Sequence, residues 1–195
     1  MADNEILAEK PPSLDEGSRQ PLLRMVGIGK TFGAVRALHQ VDFEVYAGEV
    51  VGLVGDNGAG KSTLVKTIAG VGPADEGQIF VEGKPAVINS PQMASHLGIE
   101  TVYQDLALCD NLDVVGNLFL GRELRSKTGM MDEVEMEKQG LAVLHSLNVK
   151  LPSARALVAA LSGGQRQSIA VAKTILRQAK VVLLDEPTAA LGVAQ

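Results

Sequence analysis

The first hundred residues carry the patterns of short strands. Apolar and acidic residues alternate from Val41 to Val45, which is the period-two pattern of a half-exposed strand. Short apolar runs predict further strands at residues 23–28, 49–54, 78–81 and 99–103. The strand at residues 49–54 is expected to be buried. A tight turn is expected at residues 82–84.

Two helices are predicted between these strands. The first covers residues 61–69 and is closed by Gly70. The second is short and ends near Leu97; Ser90 is its expected N-cap and Pro91 its first residue. The first half of the chain is therefore predicted to contain both strands and helices.

The middle of the chain loses the strand signals. Apolar residues such as Leu141 and Leu144 approach helical spacing over residues 131–147, so a helical insertion is predicted from about residue 110 to 160. A helix is expected at residues 162–177 and a buried strand at 181–184. Residues 1–20 are polar and acidic, and they are expected to be a disordered lead-in.

Composition indicates a globular protein and limits its partners. Hydrophobic residues make up 46% of the 195 positions, and this length is enough for one domain with a substantial core or for a compact domain with a subdomain. A net charge of −5 argues against a broad polyanion-binding surface, so no nucleic-acid partner is expected. No apolar run approaches the roughly 18–20 residues that span a bilayer, so work at a membrane would require recruitment by partners.

A glycine-rich loop joins the predicted strand at 49–54 to the helix at 61–69, and it fits the phosphate-binding pattern G-x-x-x-x-G-K-[ST]. Glycines let backbone amides converge on phosphate oxygens, and the helix start faces the same anion. Lys61 is expected near the β- and γ-phosphates and Ser62 on Mg²⁺. A chance glycine-rich turn is the alternative. The predicted nucleotide-binding residues are Gly55, Asp56, Asn57, Gly58, Ala59, Gly60, Lys61, Ser62 and Thr63.

The strand at 181–184 ends in two acidic residues, Asp185 and Glu186. Asp185 is expected at the C-terminal edge of the strand, where ligands bind in open α/β sheets and where a carboxylate can hold Mg²⁺. Glu186 is the expected catalytic base that polarises an attacking water. An ordinary strand end with a capping Asp-Glu pair is the alternative.

The segment from Leu161 to Gln165 reads Leu-Ser-Gly-Gly-Gln at the start of a helical pattern. Ser162 as N-cap with Gln165 three residues later predicts a capping box. The same helix start can also present the Ser162 hydroxyl and the Gly164 amide to a γ-phosphate. The two interpretations are compatible, because an anion site uses the amides that capping leaves free.

This pentapeptide, between a phosphate-binding loop and an acidic strand end, resembles the signature of the ABC ATPases. The resemblance runs from about residue 23 to the last residue. It implies an α/β fold of the P-loop NTPase class, with a mixed sheet core and a helical subdomain at about residues 110–165 inside an ATP-binding domain at 21–195. It also implies ATPase activity, with ATP and Mg²⁺ as cofactors.

Domains of this family pair head to tail, so each ATP would lie between the phosphate-binding loop of one subunit and the signature of a second copy. Gln104 resembles the family's Q-loop glutamine, which approaches Mg²⁺, and Phe32 resembles the aromatic residue that stacks on adenine. A polar strand end and a core phenylalanine are the respective alternatives. The signature residues expected to act in the partner's site are Ser162, Gly163, Gly164 and Gln165.

Residues 102–112 and 185–192 resemble the monosaccharide importers of bacteria, with ribose- and fructose-type systems as the nearest. The resemblance implies an ATP-binding subunit that energises sugar import through a transmembrane permease, at the cytoplasmic face of the membrane. A substrate-binding protein would be an indirect partner. A soluble ABC ATPase and a non-catalytic nucleotide-binding module stay open as alternatives.

Two departures from the family pattern qualify this expectation. Gly192 stands where the family usually has an aspartate, which puts communication between the two sites in doubt. No histidine follows Glu186, whereas the family continues with further strands and a histidine that contacts the γ-phosphate. The domain is therefore expected to be incomplete and to lack its C-terminal strands, and the ATPase activity of these 195 residues alone is open.

Overall fold

The computed structural model describes residues 7–9, 19–103 and 105–185. The chain divides into two compact units, one ending at Glu100 and the other beginning at Thr101. In chain order, the elements of the first unit are β1 (Leu7–Glu9), β2 (Leu23–Phe32), β3 (Val35–Val45), β4 (Gly52–Val54), α1 (Lys61–Ile68), β5 (Glu76–Val81), β6 (Lys84–Ala86) and α2 (Pro91–His96).

The main sheet of the first unit has four antiparallel strands in the order β3-β2-β5-β6. Met25 on β2 pairs with Phe43 on one side and Ile79 on the other, and all three side chains are buried. Arg24 and Glu44 are paired one position along, are largely exposed, and form an ion pair of 3.0 Å. The alternation predicted around Val41 to Val45 is thus confirmed, because one face of the sheet is packed and the other is solvated.

Capping residues mark the end of α1 and the start of α2. Ser90 accepts a hydrogen bond from the Met93 amide (3.2 Å) and Pro91 is the first residue of α2, as predicted. After α1, Gly70 adopts a φ of 75° and donates to the carbonyl of Thr67. A left-handed residue at this position satisfies carbonyl groups that the helix end leaves open, which is why Gly70 closes the helix.

A short segment, β7 (Ile99–Val102), leads from the first unit into the second. The remaining elements are α3 (Val114–Phe119), α4 (Glu133–Ser146), a 3-10 helix (Val158–Ala160), α5 (Gly163–Leu176) and β8 (Val181–Leu184), which pairs with β7. The helices share one apolar core, made of Val114, Val115, Leu118, Phe119, Met136, Leu144, Ala154, Val158, Leu161, Ile169 and Ala172. The helical pattern predicted for the middle of the chain is confirmed.

One polar side chain, Asn117, lies inside this helical region with no exposed surface. Its Oδ1 accepts from the Cys109 amide at 2.7 Å. Its Nδ2 donates to the carbonyls of Cys109 at 2.9 Å and Asp113 at 3.0 Å, and lies 3.3 Å from that of Leu112. A buried amide side chain requires such partners, and Asn117 obtains them by closing the loop that precedes α3.

Three expectations differ from the structure. The strand predicted as buried at residues 49–54 is the three-residue β4, and Val50 and Val54 are 86% and 45% exposed. The strand predicted as buried at residues 181–184 is β8, which exposes Val182 and Leu184. Among the described residues β4 pairs only with β1 and β8 only with β7, so two-stranded sheets leave their faces open. β1 itself lies within the segment expected to be a disordered lead-in, and its three residues are too few to give a periodic signal.

Candidate functional site

The glycine-rich loop curls between β4 and α1. The Ala59 amide donates to the Asp56 carbonyl at 3.2 Å, and Ala59 is buried while Gly55 to Gly58 are exposed. Gly58 and Gly60 adopt φ angles of 88° and 92°, which are open to glycine without strain. The loop therefore offers its backbone to solvent at the first turn of α1.

Lys61 folds back across the loop. Its ammonium donates to the carbonyls of Gly55 at 2.7 Å and Asp56 at 2.8 Å. Two of its three N–H groups are thereby used to fix the shape of the loop, and the third is left for an anion. Loop amides, a helix N-terminus and a fixed ammonium are together the groups that can bind a phosphate.

Gly60 fixes the loop against the sheet. A Cβ atom at this position would lie 2.5 Å from the carbonyl oxygen of Ala37 and 3.1 Å from Leu38 Cδ2, both on β3. Only glycine allows the chain to pass so close to β3 with a positive φ. The start of α1 is therefore held by β3, the strand that pairs with the strand carrying Phe32.

Phe32 ends β2, just before a two-residue turn that opens with Gly33 at a φ of 58°. The ring is 56% exposed, so the alternative of a core phenylalanine is excluded. The Lys30 ammonium lies over the ring, 5.6 Å from its centroid. An exposed aromatic ring with a cation on one face is suited to stack a planar ligand on its free surface.

Ser62 and Asp185 have the chemistry of Mg²⁺ ligands. Ser62 is exposed in the first turn of α1, and the half-buried Asp185 follows β8, where its amide donates to the Val102 carbonyl at 3.1 Å. Both are oxygen donors, which Mg²⁺ prefers. The described residues contain no group of three or more His, Cys, Asp or Glu side chains that could hold a metal alone.

The signature forms the capping box predicted for it. The Gln165 amide donates to Ser162 Oγ at 3.3 Å, and the Ser162 amide donates to Gln165 Oε1 at 3.0 Å. Gln165 Nε2 also donates to the carbonyl of Lys150 at 2.9 Å. Ser162 and Gly163 are exposed, so the outward part of this helix start is its hydroxyl and its first amides.

The structure thus places the glycine-rich loop and Phe32 in the first unit, and Asp185 and residues 161–165 in the second. Gln104 and Glu186 lie outside the described residues. The three histidines of the chain, His39, His96 and His145, are exposed.

Sequence reasoning missed Asp75. Its carboxylate accepts from the Lys30 ammonium at 2.7 Å and from the Thr31 amide at 2.8 Å. The hydrogen bond from Lys30, followed by that from Thr31, lowers the pKa of Asp75 below 3.8. The partners are 45 and 44 positions apart in the chain, so no local pattern could have shown this contact.

Comparison with known proteins gives a consistent result. A family model described as "ABC transporter" matches residues 38–189. The chain is 48% identical to a xylose/arabinose import ATP-binding protein of Sulfolobus acidocaldarius, over 89% of this chain and 69% of that protein. It is 47% identical to a fructose import ATP-binding protein of Rhizobium meliloti, over 91% and 71%. It is 40% identical to a ribose import ATP-binding protein of Clostridium perfringens, over 90% of this chain and 35% of that protein.

Solved structures agree with this result. An ATP-binding cassette of an ABC transporter in its ADP conformation superposes with a TM-score of 0.72 at 27% identity, covering 89% of this chain and 71% of that one. A nucleotide-free ATP-binding cassette of an ABC transporter superposes with a TM-score of 0.70 at 26% identity, covering 87% of this chain and 70% of that one. The α/β fold expected from the motifs is confirmed, and the chain belongs to the ABC transporter family, as an ATP-binding cassette.

Proposed function

We propose that this chain is the ATP-binding and ATP-hydrolysing subunit of a sugar importer, which energises transport through a membrane permease. The relatives that support this are named import ATP-binding proteins for xylose/arabinose, fructose and ribose. Because of these names, a soluble non-transport ABC ATPase and a non-catalytic nucleotide-binding module are not favoured. The described residues contain no helix long and apolar enough to cross a bilayer.

The observation that carries the proposal is the position of Lys61. Its ammonium spans the carbonyls of Gly55 and Asp56 at the first turn of α1, and one donor remains for the β- and γ-phosphates. The amides of residues 58–63 would bind the same phosphates. Phe32 would stack on adenine.

Mg²⁺ would be held by Ser62, Asp185 and Gln104, and it would neutralise charge between the β- and γ-phosphates. The carboxylate of Glu186 would accept a proton from the attacking water. Since the protein performs little covalent chemistry in phosphoryl transfer, positioning of phosphates and water is the main work of these residues.

The site would be completed by a second copy of the chain in head-to-tail orientation. The Ser162 hydroxyl and the amides of Gly163 and Gly164 would bind the γ-phosphate of the partner's ATP, while Gln165 would contribute by holding the helix start. The dimer would sit at the cytoplasmic face of the membrane through its permease, with a substrate-binding protein as an indirect partner. The cassette is proposed to span residues 21–195, with its helical subdomain at about 110–165.

ATP binding to the Lys61→Ala variant tests the proposal. A charge-assisted hydrogen bond contributes about 1.5–3 kcal/mol, so the Kd for ATP should rise roughly 10- to 150-fold by calorimetry. Lys66→Ala is the matched control, because Lys66 is an exposed lysine in the last turn of the same helix. Equal affinities of the two variants would remove Lys61 from the nucleotide site.

A further inference from the structure

Asp75 makes hydrogen bonds to the end of β2, next to Phe32. Asp75 precedes β5, and three of its atoms bind three successive residues of β2. Its amide donates to the Gly29 carbonyl at 2.9 Å, one carboxylate oxygen accepts from the Lys30 ammonium, and the other accepts from the Thr31 amide. The Asp75 carboxylate thereby gives the Thr31 amide an acceptor of the kind that a neighbouring strand would otherwise provide.

The sheet explains why such a contact is needed. The pairing of β2 with β5 ends at Gly29 and Glu76, after an irregular register between Val26 and Gly29. Beyond that point β5 supplies no partner for the Thr31 amide. For its last three residues β2 pairs, among the described strands, with β3 alone. The Asp75 carboxylate binds this amide one residue before Phe32, so it limits the twisting of the strand end that carries the ring.

The same carboxylate also fixes a contact to the ring itself. The Lys30 ammonium donates to Asp75 and to the carbonyl of Pro73, both at 2.7 Å, and its side chain is only 13% exposed. Two acceptors thus hold the ammonium where it lies over the Phe32 ring. One face of the ring is covered by a fixed cation, although the ring as a whole is 56% exposed.

We propose that Asp75, acting through Lys30 and the Thr31 amide, is a positioning residue that holds the Phe32 ring ready to stack on a purine base. The inference rests on the proposed function, since it assigns a supporting group to the nucleobase end of that site. Asp75 touches neither the phosphates nor the base. Its contribution is to reduce the conformational freedom that the ring would lose when a base stacks on it.

Calorimetry with ATP and with inorganic tripolyphosphate, both with Mg²⁺, separates this role from a general structural one. Asp75→Asn keeps the shape of the side chain and removes its charge. We expect it to weaken ATP binding roughly three- to tenfold, and to leave tripolyphosphate binding unchanged because that ligand has no base to stack. Asp75→Ala removes both carboxylate oxygens, so it should weaken ATP binding at least as much as Asp75→Asn and should also leave tripolyphosphate binding unchanged.

The matched control is Arg24→Gln, which removes an exposed ion pair of similar length from the other end of the same β2–β3 hairpin. It should leave the affinity for both ligands unchanged. A double variant with Phe32→Ala supplies the decisive comparison. If Asp75 acts through the ring, adding Asp75→Asn to Phe32→Ala should cause no further loss of ATP affinity.

The possible failures are distinct from one another. Equal ATP affinity of Asp75→Asn and the unchanged protein would overturn the positioning role, and so would a loss that persists in the Phe32→Ala background or that extends to tripolyphosphate. An ATP affinity that does not respond to Phe32→Ala would also overturn it, while nucleotide binding at Lys61 would stand. If the unchanged protein binds neither ATP nor tripolyphosphate, the proposed function fails together with this inference.

Discussion

Replacing Asn117 with alanine tests how the loop before α3 is held. The side chain is fully buried, and its three shortest hydrogen bonds join it to backbone groups of Cys109 and Asp113. Each such bond contributes about 0.5–1.5 kcal/mol net, so the three together represent about 1.5–4.5 kcal/mol. We expect Asn117→Ala to lower the free energy of unfolding by about 2–4 kcal/mol, since the cavity adds to the loss of the bonds.

Asn117→Asp separates hydrogen bonding from packing. The aspartate has nearly the same shape and keeps an acceptor for the Cys109 amide, but at pH 7 it replaces a donor by a carboxylate oxygen that faces carbonyl oxygens. An ionised, buried group without a donor on that side is costly. This variant should therefore be at least as destabilised as Asn117→Ala at pH 7.

The assay is urea unfolding followed by far-UV circular dichroism, because the chain contains no tryptophan for fluorescence. Asn111→Ala is the matched control, since Asn111 is an exposed asparagine in the same loop, and it should stay within about 0.5 kcal/mol of the unchanged protein. A stability of Asn117→Asp equal to that of the unchanged protein would refute the reasoning. It would mean that shape, and not donation to the carbonyls, keeps Asn117 in place.

Two further predictions concern the first unit. Gly60→Ala should lower stability by at least about 1–2 kcal/mol, from the left-handed backbone alone, and should weaken ATP binding, because its Cβ would lie 2.5 Å from the Ala37 carbonyl oxygen. Gly72→Ala is the control, as its Cβ would meet nothing within 4 Å; equal unfolding midpoints would contradict the packing argument. Because the folded pKa of Asp75 is lowered from 3.8, its stabilising effect should be complete above pH 3.8 and lost as the pH falls through the lower, folded value. Unfolding curves of the unchanged protein and Asp75→Asn should differ at neutral pH and converge only below pH 3.8, and an unchanged difference there would exclude the lowered pKa.

Local sequence was enough for features that depend on neighbours in the chain. The N-cap at Ser90, the glycine that closes α1 and the capping box at Ser162 were all predictable, because each involves atoms within a few residues. The strand alternation between Val41 and Val45 was predictable for the same reason.

Features that depend on distant partners were not predictable. An apolar run resembles a buried strand whether or not other strands cover it, so the exposure of Val54 and Leu184 could not be read from the sequence. Asp75 and Asn117 are polar residues without any local pattern, and only the fold brings their partners to them. For the candidate site, the residue types were predictable but the groups that support them were not.

The way Gln165 is used affects how variants of the signature should be interpreted. Both polar atoms of its side chain already make hydrogen bonds: Oε1 accepts from the Ser162 amide and Nε2 donates to the Lys150 carbonyl. A substitution at this position would release the start of α5 and the loop at Lys150 at the same time. Loss of activity in a Gln165 variant would thus include a change in the geometry of a helix start, and a Ser162 variant would remove both the N-cap acceptor and an exposed hydroxyl. Variants at these two positions of one motif would then share one physical defect, the loss of the capping box.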